Sequence, residues 1–126
     1  MLEFSKIRTI AYKHKKNYPR NHKIYLIDID GTICNTKNSQ YLKSEPIFEN
    51  IVKFNKLFEQ GHEVHYWTAR GINSGKKHDI LTYEQLNRWG VQYSSINIGK
   101  PHYDHWIDDK AINPDDLKDL KDLKDL

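Results

Sequence analysis

Four short signals in this chain carry side chains able to do chemistry together: Asp28 and Asp30 in DIDGT, Thr68 in WTARG, Lys100 in GKP, and Asp108 with Asp109 in WIDD. Each is modest alone, since a surface loop can hold an acid pair and a single Thr or Lys says nothing. Their order and their predicted place in the fold give them weight. Four carboxylates gathered in one crevice repel by about 1 kcal/mol per pair in water and about 4 kcal/mol in a partly buried site, so a positive group must sit among them. Hard carboxylate oxygens with few imidazoles favour Mg²⁺, which keeps several of its waters and binds through one or two carboxylates plus a phosphate. Lys100 adds a fixed charge and Thr68 a hydroxyl donor, and with the loop amides after Asp28 these describe a pocket for a phosphoryl group.

The elements that must position these residues are legible in the apolar pattern. Residues 24–29, IYLIDI, read as a short strand buried on both faces, ended by Gly31. Ser44 and Pro46 mark the start of a helix whose apolar positions, Ile47, Ile51, Phe54, Leu57 and Phe58, recur at helical spacing until Gly61. EVHYW is a second strand, stopping at Thr68; a second helix carries Ile80, Leu81, Leu86 and Trp89 as far as Gly90; 95–98 and 105–107 are two further strands. Strands alternating with helices predict an α/β fold, a Rossmann-like three-layer α/β/α sandwich with a mainly parallel sheet. In such sheets ligands bind beyond the carboxyl ends of the strands, where all four signals fall.

Residues 1–22 read as a helical, basic extension, with Leu2, Phe4, Ile7, Ile10 and Ala11 near a helical period, and 23–126 as one domain with a low-complexity tail from 115. The tail leucines 117, 120, 123 and 126 drift about 60° per step around an α-helix, so they form no steady apolar face. Lys13, Lys15, Lys16, Arg20 and Lys23 place five positive charges in 13–23 with no acid; the chain total is +3, which leaves the remainder at −2. A nucleic-acid partner would therefore have to be met mainly by that one segment, and is not favoured. No apolar run is long enough to span a membrane, and the N-terminus lacks a secretory signal, so the chain is expected to be soluble and cytoplasmic. Cys34 is the only cysteine, expected as a half-buried filler. In HEVH, His62 and His65 would face opposite sides of a strand, which excludes the helical zinc pattern. His102 and His105 flank the last acid pair, and Trp67, Trp89 and Trp106 are expected in the core.

In order and type, DIDGT, Thr68, Lys100 and IDD resemble the four motifs of the haloacid dehalogenase (HAD) superfamily of phosphatases, over about Lys23 to Pro114. WTARG, QLNRWGVQY and GKPHYDHWIDDKA are similar to its small capsule-biosynthesis type, whose substrates are sugar phosphates or glycan precursors. The resemblance implies Asp28 as nucleophile, Asp30 as general acid and base with a pKa pushed up by neighbouring acids, and Thr68 and Lys100 on the phosphoryl group. It implies Mg²⁺ held by Asp28, the Asp30 carbonyl and Asp108, with Asp109 behind it or acting through water, and phosphate-side contacts from Gly31, Thr32, Ala69 and Arg70. Arg70 could also serve a substrate carboxylate or second phosphate, or stay solvated in its loop. Thr32 to Pro46, and Thr68 to Lys100, leave no room for a cap domain, so the site is expected to be open, suiting a bulky substrate or closure by a neighbouring copy of the chain. Two rival readings are a nucleotide or polynucleotide-end phosphatase, and a catalytically idle HAD-like binding or scaffold domain.

Overall fold

The computed structural model describes residues 6–15, 17–71 and 76–119. It is a mixed α/β fold built on a four-stranded sheet. The elements are β1 (Arg8–Tyr12), β2 (Ile24–Asp28), the two-residue strands β3 (Cys34–Asn35) and β4 (Glu45–Pro46), α1 (Phe48–Glu59), β5 (Glu63–Thr68), α2 (Lys76–Arg88) and β6 (Ser95–Ile98). A 3-10 turn, Pro114–Asp119, follows. In the main sheet the order is β1-β6-β5-β2, with β2, β5 and β6 parallel and β1 antiparallel to β6. Among the described residues no helix is long and apolar enough to cross a membrane.

Because β2, β5 and β6 succeed one another in a single direction across the sheet, two right-handed crossovers place α1 and α2 on the same face. Buried Ile51, Phe54 and Leu57 from α1, with Leu86 from α2 and Trp89 just after it, join Ile27, Val64, Tyr66 and Ile96 of that face in one core cluster. The alternation along β5, with Val64, Tyr66 and Thr68 buried, follows the two-residue period of a strand covered on one side. On the opposite face Ile24 and Leu26 are 63% and 70% exposed, so β2 is not buried on both faces as its apolar run suggested. It is the edge strand, next only to β5. Residues 105–107, expected as a further strand, are irregular and exposed.

The N-terminal segment departs most from the sequence expectation, since residues 8–12 form a strand rather than a helix. Its pairing with β6 shifts register between Thr9 and Ala11. A bulge of this kind turns two adjacent residues toward one side, and Ile10 and Ala11 both pack against the core cluster. Neighbouring apolar residues on one face are what made the segment read as helical, while the tertiary partner β6 supplied the backbone pairing that decided it. Residues 2–5 lie outside the described part of the chain, as do tail leucines 120, 123 and 126. Leu117 is buried in the core.

Gly99 follows β6 with φ +80, and a Cβ there would collide with the Lys6 carbonyl. Both the backbone conformation and the close approach require glycine. Gly99→Ala is expected to cost about 1–3 kcal/mol, visible as a lower urea midpoint at an unchanged slope.

Candidate active site

Beyond Asp28 the chain keeps its tie to β5 for one more residue, through the Ile29 amide on the Trp67 carbonyl at 3.1 Å, and then turns sharply. Gly31, at φ +87, makes that turn possible. Its amide donates to Cys34 O at 2.8 Å, and the Thr32 amide to Ile29 O at 3.2 Å. These two amides close the turn instead of facing a ligand. Neither Gly31 nor Thr32 is among the residues lining the pocket, whereas Ala69 is. On the neighbouring strands, the Lys100 amide donates to Thr68 O at 2.9 Å and the Gly99 amide to Arg70 O at 3.2 Å, so the loops after β5 and β6 stay in step past the sheet edge.

The result is a cavity of about 280 Å³ at the carboxyl ends of the strands, lined by Asp28, Asp30, Thr68, Lys100 and neighbours from two loops. Asp28 Oδ1 lies 3.6 Å from Lys100 Nζ. The lysine is almost wholly buried, its ammonium 5.0, 5.1 and 5.6 Å from the ring centres of Trp67, Tyr103 and Trp106. Three aromatic faces stabilise the cation where water is scarce and hold it against Asp28. Burial pushes the Asp28 carboxyl above its ordinary range; the Lys100 charge opposes this, and nearby Asp30 adds to it.

Asp30 is held in a different way. Arg70 Nη2 donates to its Oδ1 at 2.8 Å and Arg70 Nε to its Oδ2 at 3.0 Å, a bidentate pair. Thr36 Oγ1 donates at 2.7 Å and Thr68 Oγ1 at 2.8 Å. Burial alone would raise this carboxyl, but the Arg70 hydrogen bonds and charge, with the two hydroxyls, outweigh it and keep it below the ordinary range. The expected upward shift is thus reversed, because the nearest charge is a guanidinium rather than another carboxylate.

Arg70 itself is 1% exposed and does not face a substrate. Its remaining donors go to Gln85 Oε1 at 2.5 Å, Ser44 Oγ at 3.1 Å and Thr82 Oγ1 at 3.4 Å. Sequence reasoning missed this burial. The available signal was α2 itself, where Thr82 and Gln85 occupy inward positions in line with Leu86 and Trp89; buried polar groups on an apolar stripe need a polar partner. Thr68, expected on a phosphoryl oxygen, gives its proton to Asp30 and accepts from the Arg70 amide at 3.1 Å. Cys34 is fully buried beside this network, and burial pushes its thiol up to about 11, so it fills space and stays protonated.

Asp108 and Asp109 lie outside the pocket lining, on the exposed stretch after Tyr103. Asp108 is tied toward the site by a 3.4 Å bond from Trp106 Nε1, and Trp106 packs edge-on against Trp67 at 6.0 Å. The Lys110 amide and this indole hold its carboxyl below the usual range. Trp106 is half exposed rather than in the core, whereas Trp89 is buried as expected. Of the two histidines flanking the acid pair, His102 lines the pocket and His105 does not. His65 turns to Ser95 and Glu63, while His62 accepts from the Lys23 amide, which places the HEVH histidines apart. Among the described residues no three acid, histidine or cysteine side chains converge where they could hold a metal ion. The donors implied for Mg²⁺ match it in kind, but only Asp28 and Asp30 are at the pocket, and both Asp30 oxygens already accept hydrogen bonds.

No protein-family model matches the chain. No curated protein matches it either. Among solved structures it is similar to the crystal structure of a structural-genomics target from Vibrio cholerae, with a TM-score of 0.68 and 26% identity, covering 82% of this chain and 94% of that one.

Proposed function

We propose that the chain is a capless phosphomonoesterase of the HAD type, acting on a small phosphate ester with Asp28 as nucleophile. The observation that carries this reading is the Asp28 carboxylate on the pocket wall, 3.6 Å from a buried lysine ammonium, with a second acid locked two residues along. An Asp28 oxygen attacks phosphorus and the ester P–O bond breaks, giving an aspartyl phosphate and the leaving alcohol. Water then attacks that phosphorus, gives its proton to Asp30 and restores Asp28. Asp30 hands the proton to the next leaving oxygen. Arg70 keeps Asp30 oriented and, by favouring its ionised form, makes the proton that Asp30 takes up easily released to the leaving oxygen, and Lys100 balances the charge that builds on the phosphoryl oxygens.

A divalent cation belongs to the reading: Asp28 and the Asp30 carbonyl would hold it, with Asp108 brought in from the exposed stretch and Asp109 behind it, and it would neutralise phosphoryl charge. The three-layer sandwich belongs to it as well: the open face at Ile24 and Leu26 is where a further layer would lie. The polynucleotide reading loses the basic segment as a motive, because the described part of that segment lies at the other end of the sheet. There the Lys13 amide meets Ser94 O, Lys13 Nζ lies over Tyr93 and His22 bonds Glu63, all at the starts of β5 and β6. A six-residue strand separates that end from the pocket by about 20 Å.

Hydrolysis of an aryl phosphate with and without Mg²⁺ tests the reading. Lys100→Met is expected to lower kcat/KM by about 10²-fold, the scale of losing one preorganised charge-stabilising donor. Unchanged turnover in that variant would remove Lys100 from the mechanism.

A further inference from the structure

We propose that the basic segment at the far end of the sheet is a binding surface for a single strand of nucleic acid, separate from the pocket and independent of the chemistry at Asp28. Five cations and no acid fall within residues 13–23. The segment leaves β1 at Tyr12, whose partner is Ser95, and enters β2 at Ile24, whose partner is Glu63. It therefore crosses beneath the starts of β6 and β5 from one edge of the sheet to the other, a width of about 14 Å for four strands. α1 and α2 end at the same pole, with Lys56 and Arg88 exposed in their last turns.

The strip is held to the domain rather than trailing from it. Besides the Lys13 amide on Ser94 O at 2.8 Å, the Lys23 amide donates to His62 Nδ1 at 2.9 Å and His22 Nε2 meets Glu63 Oε2 at 2.8 Å. Pro19 packs on Gly61, where a Cβ would lie 2.5 Å from the proline ring. Its charges are left for a partner from outside: among the described residues no carboxylate pairs with Lys13, Lys15 or Arg20. Lys13 Nζ sits 4.4 Å from the Tyr93 ring centre and Lys15 Nζ 5.3 Å from that of Tyr18, contacts that fix a cation without neutralising it. Glu63, the first residue of β5, is bonded by His22 and His65, and Glu59 of α1 accepts from Gln92 Nε2 at 3.2 Å.

Rings alternate with these cations. Tyr12 is 63% exposed at the β1 end, its ring 6.1 Å from that of His14, and Tyr18 stacks on His22 at 4.4 Å. Backbone phosphates would meet the ammonium and guanidinium groups while an unpaired base lies on the open face of Tyr12, the combination of charge and stacking by which single strands are held. A duplex keeps its base faces within its own stack and offers Tyr12 nothing to lie on. A lipid surface fits less well, because residues 12–23 contain no Ala, Val, Leu, Ile, Met or Phe to enter the acyl layer.

The test measures the fluorescence anisotropy of a labelled short oligouridylate with the full chain, beside an RNA duplex of the same length and vesicles containing phosphatidylserine. Binding of the single strand is expected at about 50 mM salt and should weaken about 50-fold at about 200 mM, the scale of roughly four neutralised phosphates. Lys15→Glu and Arg20→Glu should each lower the affinity about tenfold, and Tyr12→Ala about tenfold with the salt slope unchanged. Lys37→Glu makes the same change in net charge on the exposed loop beside the pocket, more than a Debye length away, and should leave binding within about twofold. Three variants at separate points keep the comparison sound if one of them disturbs the segment. No binding at the lower salt, an equal loss in Lys37→Glu, affinity unmoved by Tyr12→Ala, or a duplex or vesicle bound as tightly as the single strand overturns the surface. Aryl phosphate turnover, expected unchanged in all four variants, is read separately, so the surface can fail while the phosphatase stands, or the reverse.

Discussion

Asp28→Asn is expected to lower turnover of an aryl phosphate by at least about 1000-fold, the scale on which removing an enzyme nucleophile acts, while the protein stays folded. The amide cannot attack phosphorus, but it keeps the shape and hydrogen-bonding capacity of the carboxylate. The fold has little to lose, because burial and the nearby Asp30 already disfavour the ionised form of Asp28. A carboxyl whose folded pKa is raised makes the native state less stable once pH exceeds its unfolded value, so the neutral amide should leave stability at pH 7 unchanged or slightly higher. Lys100 loses its nearest carboxylate in this variant yet keeps its three aromatic neighbours. An active Asp28→Asn protein would remove the nucleophile assignment.

Two residues along, the same substitution should do the opposite to the fold. Asp30→Asn leaves the Arg70 guanidinium buried without its counter-charge, and breaking a buried pair in this way costs about 3–5 kcal/mol. That is a large share of the roughly 5–15 kcal/mol by which domains are stable, so partial unfolding near physiological temperature is the expected result. The pH dependence has a definite sign. With its folded pKa below the unfolded value, Asp30 contributes stability that is fully present above about pH 4 and is lost as pH falls through the folded value. Urea titrations at pH 7 and pH 3 should therefore show a large gap between wild type and Asp30→Asn that narrows in acid. A gap independent of pH, or none at pH 7, would mean that the pair does not hold the fold.

These opposite outcomes at neighbouring acids show where sequence reasoning ended. The elements that carry the site, β2, α1, β5, α2 and β6, were legible because each writes its own period into the chain: continuous apolar in β2, a helical stripe in α1, alternation in β5. The strand-end location of Asp28, Thr68 and Lys100 followed from those elements, and all three line the pocket. What failed depended on partners distant in sequence. Asp30 could not be given its charge state without Arg70, forty residues away, nor Arg70 its burial without Thr82 and Gln85 on α2. The strand at residues 8–12 was hidden by a bulge, which no local period reports. Residues 105–107 read as a strand from their apolar side chains, but among the described residues no strand pairs with them, and Ile107 is left 95% exposed.

The pocket wall from Thr36 to Tyr41 went unnoticed for a related reason. Its composition is that of any polar loop, and only the fixed geometry imposed by Ser44, Gln85 and Arg70 separates it from a solvated turn. Side chains that line a pocket from a loop carry no periodicity, so their place there becomes visible only when the rigid elements beneath them are in place.

The central claim, that a phosphoryl group is passed to Asp28, is tested most directly by acid-quenching the protein during turnover of an aryl phosphate in Mg²⁺ and mapping the adduct by mass spectrometry. The account predicts a phosphorylated peptide containing Asp28, absent from Asp28→Asn. Rapid turnover with no acyl phosphate on that peptide, or an adduct on another residue, would contradict it.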